Sequence, residues 1–107
     1  MHFSDLHQPT ILTDRVLSKL ASYIGREWHI LGMVLGLESH VLYQIQHSKQ
    51  DLRATIVEML TVWRNYNLGS KSEEELLKEL MDALAQKEVG RGDIKSMFAT
   101  GNGLPSN

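Results

Sequence analysis

Residues 24–37 read Ile24-Gly25-Arg26-Glu27-Trp28-His29-Ile30-Leu31-Gly32-Met33-Val34-Leu35-Gly36-Leu37. Trp28, Leu31 and Leu35 recur at the three- and four-residue spacing of one helical face, and Gly25 and Gly36 bracket the run. The spacing predicts a short helix that turns its tryptophan and two leucines to a core and ends at Gly36. On a wheel of about 100° per residue, Ile30 and Met33 project to the opposite side and Val34 lies on the flank. Contiguous apolar side chains on an outer face mark a contact surface more often than scattered ones do. The competing reading is that Phe3 and Leu6 fold back and cover them.

The same spacing extends in both directions. Before this stretch, Val16, Leu17, Leu20, Ala21 and Ile24 form one stripe from Thr13 onward. After it, Leu42 and Ile45 mark a third helix over about Ser39 to His47. Leu52, Ile56, Met59, Leu60 and Trp63 fall in a narrow arc of a fourth, for which Ser48-Lys49-Gln50-Asp51 supplies a cap, and the wheel turns Val57 outward. Ser72-Glu73-Glu74-Glu75 has capping-box spacing: serine and the third glutamate satisfy orphan amides, and three carboxylates meet the positive end of the helix dipole. Leu76, Leu77, Leu80, Met81 and Leu84 make that fifth helix's stripe. A sixth, from Gly92 or Asp93, would turn Ile94, Met97 and Phe98 inward. Both prolines, Pro9 and Pro105, lie near the ends, and no alternating run competes as a strand. The expected class is all-α, a six-helix antiparallel bundle with Trp28 and Trp63 in its core.

At 107 residues and 12.2 kDa the chain has room for one core. Residues 1–10 read as a flexible segment, 11–99 as the domain and 100–107 as a disordered tail, since the last stretch has turn composition and little to bury. No apolar run reaches the ~20 residues of a membrane span, and Met1-His2-Phe3-Ser4-Asp5 lacks the blocks of a signal peptide, so the expected location is cytoplasmic, with no direct membrane insertion. Zero cysteines remove disulfides and thiolate chemistry. A net charge of −2 without a basic cluster in the sequence argues against nucleic acid.

Catalytic and metal chemistry need groups that converge. His40 and His47, two turns apart, are separated by ~10 Å along a helix, too far for one zinc. No G-x-S-x-G elbow occurs. The reading is therefore not an enzyme, with no cofactor, no metal and no small-molecule substrate. Arg91-Gly92-Asp93 is read as a turn glycine followed by a helix cap. Five acids against Lys78 give −4 over residues 73–82, a solvated face that could also meet a positive partner.

The Ile24 to Leu37 stretch closely resembles the helix 1 to helix 2 junction of death domains, where a glycine, a charged pair and a tryptophan precede leucines at this spacing. Val57-Glu58-Met59-Leu60-Thr61-Val62-Trp63-Arg64-Asn65 is similar to the end of that family's fourth helix, and the Leu76 to Leu84 helix is a weaker third marker. The resemblance covers about Leu12 to Phe98. It departs at Glu38, where many relatives cap the third helix with serine or threonine, so Ser39 is expected to shift that helix's start by one residue.

The resemblance implies a homotypic interaction module that binds other death-domain proteins, including copies of itself, and assembles signalling complexes in apoptotic, inflammatory or NF-kappa-B-type pathways. Family members use three paired surfaces. On the matching positions, Arg15, Lys19 and Arg53 would oppose Glu27, Ile30, Met33 and Glu38, with Val34 and Val57 added by the wheel. Arg64, Asn67 and Lys71 would oppose Lys87, Glu88 and Arg91. Tyr43 and His47 would oppose Arg26 and Lys49. The alternative role is an intramolecular brace or autoinhibitory domain packed against another part of its parent chain.

Overall fold

The computed structural model describes residues 9–48 and 51–99, which form helices α1 (Asp14–Ala21), α2 (Trp28–Val34), α3 (Ser39–Gln46), α4 (Leu52–Asn67), α5 (Glu73–Leu84) and α6 (Gly92–Ala99), with no strand among the described residues. The class is all-α, as the apolar spacing predicts. The expected cover by Phe3 and Leu6, the expected tail and the Lys49 position lie outside the described residues.

Side-chain caps set the starts of α1, α4 and α5. The Thr13 hydroxyl accepts from the Val16 N–H at 3.2 Å, and an Asp51 carboxylate oxygen accepts from the Ala54 N–H at 2.8 Å. At α5 the capping box is complete: Ser72 Oγ accepts from the Glu75 N–H at 3.1 Å, and Glu75 Oε1 accepts from the Ser72 N–H at 2.9 Å. α3 corrects the expectation at its start. Glu38 itself occupies the N-cap without a side-chain cap bond, and Ser39 is the first helical residue. α2 ends in a Schellman motif, where the Gly36 and Leu37 N–H groups donate to the Met33 and Gly32 carbonyls and Gly36 takes φ +94°.

α4 is the central element, packed on α1, α2 and α3, while α5 packs on α6 and α2. Its Ile56, Met59, Leu60 and Trp63 are wholly buried, and Trp28 joins the same core from α2. Gly32 allows α2 and α3 to approach: a Cβ there would stand 2.6 Å from Leu42 Cδ2. Two positions depart from the wheel. Leu52, assigned to the core arc, is 45% exposed because it opens α4 beyond the edge of the core. Val57, assigned outward, is half-buried against the core.

Candidate interaction surfaces

The α1–α2 turn is held by a buttress that reaches α6. Arg91 Nη1 donates to the Tyr23 carbonyl and to Glu27 Oε2, each at 2.6 Å, while Nε and Nη2 grip both carboxylate oxygens of Asp93 at 2.9 and 3.0 Å. Glu27 Oε2 also accepts the Gly25 N–H at 3.1 Å. Desolvation raises the Glu27 pKa, but the bonds from the Gly25 N–H and from Arg91 outweigh it and leave the carboxyl below its ordinary value. Glu27 and Arg91, placed by the sequence on different partner-binding surfaces, therefore bind each other. The Arg91-Gly92-Asp93 reading is corrected too: the left-handed turn residue is Gly90 at φ +71°, Gly92 is already helical, and Asp93 grips Arg91 from the first turn.

A second buttress fixes the chain ahead of α1. Glu73, expected to serve the helix dipole, accepts the Ile11 and Leu12 N–H groups at 2.8 Å and the Thr10 N–H and hydroxyl at 2.9 and 3.1 Å. On the other side of the same residue, Arg64 Nη1 donates to the Leu12 carbonyl at 3.0 Å and to Asp14 at 2.8 Å, and Nε donates to Asn65 at 3.1 Å. Arg64 is buried and structural, which corrects its placement on a partner-binding surface. Helical periodicity carries no signal for these links, because the partners lie about fifty to sixty residues away along the chain.

Desolvation raises the Glu73 pKa, yet the hydrogen bonds from Thr10, Leu12 and Ile11 together bring it below the usual value. A carboxyl whose pKa is depressed by folding stabilises the native state above its unfolded pKa, and that contribution fades as pH falls through the folded value. Glu73→Gln is therefore expected to lower the melting temperature at neutral pH and to differ little from wild type well below the ordinary glutamate pKa. Melting curves across that range check it; an equal loss at every pH contradicts it.

Of the remaining sequence-assigned residues, Asn67 is half-buried and donates to the Trp63 carbonyl at 2.8 Å, which corrects its placement on a partner-binding surface, and the other described ones lie at the surface. On α2, Ile30, Met33 and Val34 are 42%, 55% and 37% exposed, spaced so that they adjoin along one face. Glu38 is exposed beside His40, with 3.4 Å between Glu38 Oε1 and His40 Nδ1. Tyr43 and His47 stack on α3 with ring centroids 4.0 Å apart, and both are exposed, as is Arg26. Arg15, Lys19 and Arg53 meet in one cleft between α1 and α4 together with Ser18 and Ser22. Lys71, Lys87 and Glu88 are exposed, and Lys71 is paired with Glu79 at 2.8 Å.

The acidic face of α5 is less free than its composition suggests. Glu73 and Glu75 are used by the chain itself, Glu79 holds Lys71, and Asp82 holds Lys95 and Lys78 at 3.0 and 3.4 Å. These two lysines keep the Asp82 carboxyl below its ordinary pKa. Glu74 faces solvent. No helix among the described residues is long and apolar enough to cross a membrane.

The chain matches the family model described as death domain over residues 14–99. No curated protein and no solved structure matches the chain. Death domains are protein–protein interaction modules rather than enzymes, and they generally bind other death-fold domains. The match opens at the first residue of α1 and closes at the last of α6, so it takes in all six helices and the buttress that joins the α1–α2 turn to α6, and the chain belongs to the death-domain family.

Proposed function

We propose that the chain is a homotypic interaction module that docks other death domains, including further copies of itself, and so assembles cytoplasmic signalling complexes of apoptotic, inflammatory or NF-kappa-B type. The observation that carries this is the α2 patch. Ile30, Met33 and Val34 adjoin on one face of a short helix and remain open to water among the described residues. Glu38 at the foot of that helix adds one acidic rim residue. Tyr43, His47 and Arg26 offer a further opposed pair, and Lys71, Lys87 and Glu88 offer what remains of the second pair once Arg64 and Arg91 are committed internally. Because the two halves of each contact differ, docking runs head to tail and extends into rings or helical assemblies.

The expected result for Met33→Asp is loss of partner capture and of self-association, with helical circular dichroism retained, because a carboxylate in the middle of an apolar contact must be desolvated without a partner. Light scattering on a sizing column over a concentration series, beside pull-down with death-domain baits, reads both. Undiminished capture by the Asp variant overturns the proposal. So does a wild-type chain that stays monomeric and captures no death domain, which favours the intramolecular brace.

A further inference from the structure

Arg15, Lys19 and Arg53, the cationic half of the first docking pair, surround Ser18 and Ser22 in a concavity of about 390 Å³ between α1 and α4. No ion pair among the described residues involves any of the three. Arg15, Ser18, Lys19 and Ser22 follow one another at the three- and four-residue spacing that lines side chains along one face of α1 and its cap. Two hydroxyls thus stand among three unneutralised cations, and they differ in access. Ser18 lies in mid-helix, half-buried, with its Oγ accepting from Arg53 Nη2 at 3.2 Å. Ser22 is exposed at the C-cap of α1, just before the turn over residues 23–27.

We propose that Ser22 is a phosphorylation site whose phosphate closes the α1–α4 half of the first docking pair. In the transfer, Ser22 Oγ attacks the γ-phosphorus of a nucleoside triphosphate held by a protein kinase. The new O–P bond forms as the bond to the bridging oxygen breaks, the hydroxyl proton passes to a base of the kinase, and the nucleoside diphosphate leaves. Lys19 three residues before the acceptor and Arg15 seven before it suit a kinase that reads basic side chains on the N-terminal side. The end of a helix opens more readily than its middle, so Ser22 is the hydroxyl of the pair that reaches an extended conformation. Ser72, also exposed, suits such a kinase poorly, because Glu73, Glu74 and Glu75 follow it and repel a phosphate placed there.

Esterification has a local cost. Ser22 gives up the 2.6 Å bond from its hydroxyl to the Lys19 carbonyl, and the negative end of the α1 dipole opposes a dianion at the cap. The three cations outweigh both. A guanidinium fork matches phosphate oxygens bidentately, and Arg53 spends only Nη2 on Ser18 among the described residues, at 3.2 Å to Oγ and 3.4 Å to the carbonyl. Cations held by this phosphate no longer face a second copy's α2 and α3. The α2 patch of the modified chain is untouched, so that chain still receives a neighbour on one side and offers nothing on the other, and it caps a head-to-tail assembly. The capping rests on the docking reading above; the modification and the seat of the phosphate do not.

The test has three arms. The folded chain is incubated with ATP and the catalytic fragments of cyclic-AMP-dependent kinase and protein kinase C, and the phosphate is mapped by mass spectrometry. Label is expected on Ser22 and is lost in Ser22→Ala. Phosphoserine installed at position 22 through an expanded genetic code is then titrated by phosphorus NMR. Its second ionisation is expected below the ordinary value of about 6, to return to that value in the double variant Arg15→Gln, Arg53→Gln, and to be unmoved by Lys87→Gln. Circular dichroism confirms that each variant stays folded. Light scattering reads the last arm: self-association of the modified chain is expected to weaken about tenfold or more, and a small share of it to shorten assemblies of the unmodified chain. No label on Ser22 from either kinase, label on Ser18 instead, an ordinary phosphate ionisation, or a modified chain that assembles as the unmodified one does overturns the proposal. An unmodified chain that neither assembles nor captures a death domain defeats the docking reading alone, since the first two arms still decide the site.

Discussion

Trp63→Ala is expected to lower the unfolding free energy by about 3–5 kcal/mol, the range for removing a large aromatic ring from a core that only partly closes around the void. Trp63 is wholly buried on α4, the helix that α1, α2 and α3 all pack against, so few neighbours are free to collapse into the space. For a domain of this size that is a large share of the ~5–15 kcal/mol usual for whole proteins. Urea denaturation followed by circular dichroism checks it, and a loss under about 1 kcal/mol would contradict the central placement of the ring. Trp63→Phe supplies an internal control. The indole Nε1 is buried without an acceptor among the described residues, so phenylalanine gives up volume but also removes an unpaired donor. Its cost is expected to fall well short of the alanine variant's.

Arg64→Ala is expected to cost about 2–3 kcal/mol through a different route. The guanidinium is buried, and its loss strands the Leu12 carbonyl. Hydrogen bonds from a charged donor carry about 1.5–3 kcal/mol, and the truncated stem leaves a void as well. The larger penalty of a stranded buried charge does not arise, because the Asp14 side chain is 87% exposed and water takes over its solvation. Asp14→Asn is therefore expected to cost under about 1 kcal/mol, as exposed ion-pair partners usually do. Arg64→Met, which keeps the packing of the stem, should recover part of the alanine loss. The same denaturation series reads all three; an Asp14→Asn variant as damaging as Arg64→Ala would mean that the ion pair, and not the grip on Leu12, is what matters.

What the sequence made legible was whatever repeats with the helical period. Val16, Leu17, Leu20 and Ala21, the Trp28–Leu31–Leu35 face, and the Leu76 to Leu84 stripe all lie where the spacing puts them, and Ser72 with Glu75 closes the capping box. The α2 patch was legible for the same reason, since a wheel assigns an outside as readily as an inside. Charged residues were not. Glu27, Arg64, Glu73 and Arg91 look like surface charge on any wheel, and each is instead bound to a residue or backbone group far away in the chain. Leu52 shows a third kind of failure: it keeps the right phase, but α4 begins before the core does.

The Glu73 carboxylate has a consequence for how the start of the domain comes loose. Thr10, Ile11 and Leu12 have no helix or sheet to hold them, yet their three amide groups share a single acceptor. They cannot fray one at a time as the end of a helix does. Rotation of one side chain unpairs all three amides together, while Leu12 stays anchored by its burial and by Arg64, so Glu73→Gln is expected to speed amide exchange at Thr10 and Ile11 in step and at Leu12 less.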